Sequence, residues 1–418
     1  MSTDTAPGVS ETRSKYALAT LGLGAFAIGT AELVIVGVLN LIAGDLDISV
    51  GTAGLLVTAY ALGISIGGPI VTAATIKLPR RTLLLLALAV FIVGNLIAVF
   101  ASVFGLLLVA RVITGAIHGL FIGVASAVAA SLVSAERRGQ AVAMVFGGIA
   151  VSTVIGVPLG TLIGQSMGWR AAFVGVIILG ALALVATLAL VPSVEGSGSG
   201  GLGAQAKHAF APRVLAMLGV GLLLLGGQFT AFTFLTPFLE DVTGISGGAV
   251  SAFLLIFGVA SAIGTFAGGK FADKNANATL LVGNVVLVLS LGALYLIGSN
   301  PLLVGVALAA WGLVGFGIVP SLQLRVISLA GPGGDLAATL GASAVNAGIA
   351  AGAAIGGWAV AASGVEEVPL IALIICAVAL PATWATRFLK APVTTAPSAD
   401  VDPDTAGDSD NTLVTTAS

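Results

Sequence analysis

The chain has 418 residues, 58% of them hydrophobic and only 8% charged, with a mean hydropathy of +1.14. A soluble domain carries about 25% charged residues, so this composition excludes a water-soluble globular protein and describes a polytopic membrane protein. The net charge of −2 gives no footing for nucleic-acid binding, and the single cysteine, Cys376, cannot form an intrachain disulfide and reads as a small core residue.

Residues 1–14 are polar and read as a disordered N-terminus. Twelve apolar runs follow, at 16–42, 50–76, 82–101, 104–131, 139–164 and 170–191, then 213–239, 248–271, 279–298, 302–325, 336–362 and 368–388. Each is near the roughly 20 residues that cross the hydrocarbon core. The first is too long for a signal-peptide core and lacks a clear cleavage site, so it reads as a retained helix. The expected organisation is a six-helix bundle over 15–191, a flexible linker over 192–212 containing Gly-Ser-Gly-Ser-Gly-Gly at 196–201, a second six-helix bundle over 213–390, and a disordered tail over 391–418.

Lys and Arg set the orientation. Fourteen of the 16 fall in loops on one side of this alternation, from Arg13 through Arg80, Arg81, Arg137 and Arg213 to Lys390; Arg170 alone lies on the other, and Arg111 lies within a span. Both termini and the linker are therefore expected in the cytoplasm. The opposite loops carry acids: Asp45, Asp47, Glu240, Asp241, Glu366 and Glu367. Six spans on each side of a cytoplasmic linker suggest two parallel repeats. Gly156-Val-Pro-Leu-Gly160 in the fifth span and Gly352-Ala-Ala-Ile-Gly356 in the eleventh occupy matching positions.

The first span holds Gly29-Thr30-Ala31-Glu32, one carboxylate with no basic residue nearby in sequence. An ionised Glu at mid-bilayer costs about 2.5–3.5 kcal/mol on insertion scales. Binding a proton removes that cost, and moving a carboxylate between dry and wet surroundings changes its proton affinity. Proton coupling needs that chemistry; the plainer reading is a structural Glu satisfied by a neighbouring helix. In the fourth span Arg111, Gly115 and His118 share one face. Arg111 requires a partner or water, and Glu32 is the only acid well inside the first six spans, so a link between them, direct or through water, is expected. His118 reads either as a proton carrier or as a hydrogen-bonded structural histidine.

The fifth span carries Gly148, Ser152, Gly156, Gly160 and Gly164 at four-residue spacing, with Pro158 removing one backbone donor. This smooth stripe is expected against a helix of the other half, as a static packing face or a sliding one. The seventh span contains Gln228, Phe229 and Phe232, aromatic surface beside polar groups that suits a small amphiphilic ligand or equally a core. Asn346 in the eleventh span must find a partner, a ligand or a neighbouring helix. The solute is accordingly expected near Glu32, His118, Gln228, Phe229, Phe232 and Asn346. Lys77, Arg80 and Arg81 follow the second span, and Gly269, Asp273 and Lys274 end the eighth. They read as positive-inside topology or as a cytoplasmic latch whose charges meet helix ends or acids in one state. With two His and one Cys, no metal or triad spacing is visible, so neither a metal, a cofactor nor enzyme chemistry is expected.

These residues together resemble the Major Facilitator Superfamily, and within it the twelve-span drug:proton antiporters near the arabinose-efflux and chloramphenicol-efflux permeases. The likeness runs through most of 16–390 and rests on Gly29-Thr-Ala-Glu32, on Pro69 through Arg80-Arg81, on Arg111, Gly115, His118 and Gly119, on Gly156 to Gly160 with Gly168-Trp169-Arg170, and on Asn346, Gly348, Gly352, Gly356 and Gly357. The resemblance implies an all-α fold of twelve transmembrane helices in two bundles, and a monomer. It implies that Arg111 is the helix arginine tied to proton transfer and that the stripe in the fifth span is the antiporter motif of exporters. The first loop motif departs from the family pattern, with Thr72 and Ile76 where the second copy has Gly269 and Asp273. The resulting expectation is proton-coupled efflux of a small organic solute, a drug or a sugar, across a bacterial inner membrane. The alternatives are an uncoupled or importing facilitator of sugars or nucleosides, and a receptor on a transporter scaffold.

Overall fold

The computed structural model describes residues 11–75, 77–134, 137–193 and 202–392. In hydrocarbon every backbone N–H and C=O must be satisfied inside the segment, so apolar runs of this length become helices. The helices are α1 (Glu11–Gly37), α2 (Val50–Thr75), α3 (Arg80–Phe100), α4 (Phe104–Ser131), α5 (Gln140–Met167), α6 (Trp169–Leu190) and α7 (Pro212–Asp241). A continuous helical stretch then covers Gly248–Ile297, followed by Pro301–Gly333, Leu336–Ser363 and Val365–Phe388. The 50-residue stretch contains one non-helical residue, Asn275, at φ −161° and ψ 89°. At 1.5 Å per residue a straight helix of that length would be about 75 Å, far beyond a core of about 30 Å. It therefore crosses twice, as α8 (248–274) and α9 (276–297), and the last three are α10, α11 and α12. Among the described residues this makes twelve crossings, as the apolar runs predict.

Two segments differ from expectation. The first helix begins at Glu11, so 11–14 are helical rather than disordered; the Ser14 hydroxyl donates to the Leu132 carbonyl and ties that end down. The linker contains a short helix, Leu202–Ala209, against the start of α11. The Gly-Ser run at 196–201, residues 1–10 and residues 393–418 lie outside the described residues.

The two sets of six helices repeat each other in detail. α5 lies on α1, and α11 lies on α7. Both contacts run along glycines: a Cβ on Gly148 would meet the Gly22 carbonyl and one on Gly156 the Thr30 side chain, while Cβ atoms on Gly352 and Gly356 would meet the carbonyls of Gly226 and Thr230. α5 hands over to α6 through Gly168 at φ 89°, and α11 to α12 through Gly364 at φ 93°, a region where only glycine is unstrained. α1 and α7 each break near the acidic end, at Val38 (φ −127°) and Phe234 (φ −107°), and continue as the short helices Leu39–Asp45 and Leu235–Asp241. Between the sets, α2 packs on α11 and α5 on α8.

The cross-set hydrogen bonds cluster toward the acidic end and the middle. The Asn40 amide donates to both carboxylate oxygens of Glu240 at 2.7 Å, and within the first set Gln165 steadies Asn40 by donating to its Oδ1 at 3.3 Å and to the Gly37 carbonyl at 2.9 Å. The Ser251 hydroxyl donates to the Pro158 carbonyl. Farther along, Thr58 donates to Ala350 (3.1 Å) and Ser65 to Ser343 (2.8 Å). Within the first set, Arg170 donates to Asp45 at 2.6 Å and to the Val99 and Ala101 carbonyls, and its guanidinium lies 4.3 Å from the Trp169 ring centre. The Arg170 hydrogen bond holds the Asp45 carboxyl below the usual carboxylate range. A depressed native pKa contributes stability above the unfolded value and loses it as pH falls through the native one. The pair's contribution to the thermal midpoint should therefore be full and constant between about pH 6 and 8 and be lost below about pH 4, a fall removed in Asp45→Asn; differential scanning fluorimetry across pH reads it. With Asp45 41% exposed, the effect is small.

Candidate functional site

A glycine-lined crossing brings α2 and α4 together. Cβ atoms on Gly63 and Gly115 would collide with the carbonyls of Val112 and Tyr60, so α2 and α4 touch backbone to backbone. At this crossing α2 opens into a π turn, Gly63–Gly67, with the Gly68 amide donating to Gly63. Pro69 follows and has no amide to offer the preceding turn. α5 repeats the device: a π turn at Ser152–Gly156, the Val157 amide donating to Ser152, and then Pro158. Gly115→Ala should cost about 1–3 kcal/mol through overpacking against Tyr60, seen as a lowered midpoint of thermal unfolding in detergent.

The close approach places Tyr60 beside Arg111 and His118. Arg111 is 2% exposed. Its Nε donates to the Leu56 carbonyl (3.3 Å), Nη1 to the Ala31 carbonyl (2.8 Å) and Nη2 to the Glu32 carbonyl (3.1 Å), and its guanidinium carbon sits 4.0 Å from the Tyr60 ring centre. The cation is thus held by three carbonyl dipoles and a π face, and it fastens α1, α2 and α4 at one point. The expected link to Glu32 exists, but it runs to the main chain of Glu32 and leaves the carboxylate unspent. That carboxylate lies 3.7 Å from His118 Nδ1, and the same nitrogen is 3.2 Å from the Tyr60 hydroxyl. The Glu32 side chain keeps 18% of its surface exposed and His118 keeps 8%, so the acid is the more accessible of the pair. Tyr60 escaped the sequence reading. Its signal was a phenol in mid-span, one of only three tyrosines in the chain.

The α5 stripe does not face the other set of helices. Gly148, Ser152, Gly156, Gly160 and Gly164 pack along α1, against Gly22, Gly29, Thr30, Val34 and Val38. This corrects the expectation: the glycine face seats the helix that carries Glu32, while the neighbouring face of α5, with Thr153 and Pro158, meets Gly258 and Ser251 of α8. Pro158 therefore serves the cross-set contact and the glycines serve the contact within the set.

Gln228, Phe229 and Phe232 also sit differently from expectation. Gln228 is 1% exposed, donates to the Gly315 carbonyl and accepts from Trp311 Nε1, each at 3.3 Å. Phe232 is stacked on Phe257 at 4.7 Å, with Trp311 edge-on to both and Phe229 at 5.3 Å from Phe232. These groups form a closed core between α7, α8 and α10 rather than an open wall, because indole and amide satisfy each other. Asn346 is half-buried, on the face of α11 that carries Ser343 and Ala350 toward α2. Its amide nitrogen donates to Ala342 of its own helix, and its Oδ1 is buried without a partner.

At the basic end, Arg80 donates to the Ala127 carbonyl in the last turns of α4 and Arg81 to the Leu188 carbonyl at the end of α6. These arginines meet helix ends of their own set, where a cation complements the helix dipole. Lys77, Asp273 and Lys274 make no ion pair among the described residues, and a Cβ on Gly269 would come no nearer than 4.0 Å to Pro320. The structure does not bring the two loop motifs together.

Residues 21–343 match the family model described as the Major Facilitator Superfamily. The chain is 42% identical to an uncharacterized MFS-type transporter, YtbD, of Bacillus subtilis over 82% of this chain and 87% of that one. It is 34% identical to the inner membrane transport protein YdhP of Escherichia coli (87% and 94%), and 31% identical to a chloramphenicol resistance protein of Streptomyces lividans (79% and 86%). Among solved structures it resembles a bacterial homolog of the human lysosomal transporter Spinster in an inward-facing, occupied conformation. There the TM-score is 0.75 at 16% identity, covering 91% of this chain and 98% of that one.

Proposed function

The chain belongs to the Major Facilitator Superfamily, a family of multi-pass membrane transporters, and from that premise we propose that it exports a small organic solute in exchange for protons. One observation carries this reading. Arg111 spends three of its N–H groups on main-chain carbonyls, so among the described residues the Glu32 carboxylate is within ion-pair distance only of His118, and it remains partly open. A buried arginine that neutralised the acid would make it a fixed structural charge. An acid whose own salt-bridge partner is itself titratable can gain and lose a proton within one cycle.

The cycle uses this chain's groups in order. The first six and last six helices act as two bundles that rock about the α2–α11 and α5–α8 contacts. With the acidic end closed by Asn40 and Glu240, the site opens to the basic end, which the distribution of Lys and Arg assigns to the cytoplasm. There Glu32 loses its proton and the solute enters. After reorientation Glu32 takes a proton from outside, the neutral acid no longer holds the solute, and the site closes again with its carboxyl uncharged. Arg111 keeps α1, α2 and α4 in register throughout. The chloramphenicol resistance relative points to efflux and to aromatic drugs as the first solutes to try, and the YdhP relative to the bacterial inner membrane.

Everted vesicles test the reading. Adding a transported solute to energised vesicles should dissipate part of the pH gradient only when the protein is present. A solute that moves without any proton signal would leave an uncoupled facilitator instead.

A further inference from the structure

On the outside of the last six helices a groove of about 440 Å³ opens between α8, α9 and α10. This lies within the roughly 300–1,000 Å³ of small-ligand sites. It is almost wholly apolar, and Phe271 and Val282 on its walls are 56% and 62% exposed. Its floor is shut: Gly264 and Gly268 of α8 meet the carbonyls of Leu313 and Gly317 of α10 without room for a Cβ. The groove therefore lies apart from Glu32, and α9 diverging from α8 at Asn275 is what opens it.

Its depth and its mouth have a particular chemistry. The lining runs along α8 from Lys274 to Gly264, ten residues, or about 15 Å of helix, half of a hydrocarbon core of about 30 Å. That is the depth of one leaflet. The mouth lies at the basic end and carries Lys274, which has no ion pair among the described residues, with Lys270 one turn back and Asp273 the one acid beside them. Asn275 accepts the Ala278 amide through Oδ1, which leaves its own NH₂ as a donor at the rim. A long apolar slot of one-leaflet depth, under a mouth with an excess of positive charge, matches a molecule with an acyl chain and an anionic head.

We propose that this groove binds one acyl chain of an anionic phospholipid, with Lys274, Lys270 and the Asn275 amide taking the head-group phosphate. The full chain, purified and delipidated in mild detergent, is mixed with equal phosphatidylglycerol and phosphatidylcholine and read by native mass spectrometry. One phosphatidylglycerol should stay bound under activation that strips phosphatidylcholine. Lys270→Gln with Lys274→Gln should cut the preference by roughly fivefold per lysine, the usual gain of a lysine at an anionic surface, while chain binding persists. Ala278→Phe, which fills the groove, should abolish the retained adduct. If that variant fails to fold by its thermal midpoint, Val282→Trp at the groove edge takes its place. Equal retention of the two lipids, a preference untouched by the lysine changes, or an adduct that survives the filled groove would each overturn the proposal.

Discussion

Glu32→Gln should insert and fold normally yet lose uphill efflux entirely, and it should hold the solute only weakly, as the protonated acid does. The amide is nearly isosteric with the protonated acid, so α1 can still lie against the α5 stripe and Arg111 can still grip the Glu32 carbonyl, which the substitution leaves in place. What vanishes is the ability to alternate between charged and neutral. The thermal midpoint should match wild type, or rise slightly, because an ionised Glu costs about 2.5–3.5 kcal/mol in the bilayer centre and Gln does not. Solute-driven proton movement in everted vesicles should fall to background. A variant with unchanged proton signal would take Glu32 out of the coupling.

Arg111 should show the opposite balance, with stability and transport lost together. Its three carbonyl contacts and its place over Tyr60 join three helices. Hydrogen bonds to a charged group are worth about 1.5–3 kcal/mol each, although those between transmembrane helices average nearer 0.6 kcal/mol. Arg111→Ala should therefore lower stability by about 2–4 kcal/mol, after allowance for partners regained in the lipid-embedded unfolded state. Arg111→Lys is the sharper comparison. Lysine keeps the charge but cannot span Leu56, Ala31 and Glu32 at once, so it should retain expression and still lose most transport. Wild-type transport in Arg111→Lys would mean that charge alone suffices and that the three-way grip is incidental. Thermal unfolding and solute flux measured on the same preparation separate these results.

Much of the architecture was legible from residue type alone. Twelve apolar runs, the one-sided distribution of Lys and Arg and the glycine spacing of the fifth and eleventh spans carry the fold, because hydrocarbon leaves a chain so few options. A link between Arg111 and Glu32 was readable too, since a cation in a membrane must find a partner; the approach of His118 to the Glu32 carboxylate was not. Periodicity says which residues share a face and nothing about which neighbour covers it. For that reason the stripe from Gly148 to Gly164 was assigned to the other half when it seats α1, and Gln228 and Phe232 were read as solute-facing when Trp311 and Phe257 close over them. Tyr60 was missed because its role depends on the Gly63–Gly115 crossing, a contact between helices that no single-chain pattern encodes. The main-chain target of Arg111 lies beyond sequence for the same reason.

The most direct measurement pairs two fluxes in one reconstituted system. Protein in liposomes with an internal pH dye is given an outward solute gradient, chloramphenicol first and then other small aromatic drugs, with no imposed pH gradient. If Glu32 trades its proton for cargo, solute leaving the liposome drives protons in, and the lumen acidifies in wild type and stays flat in Glu32→Gln. Solute efflux at the wild-type rate with no change in luminal pH would contradict the account at its centre.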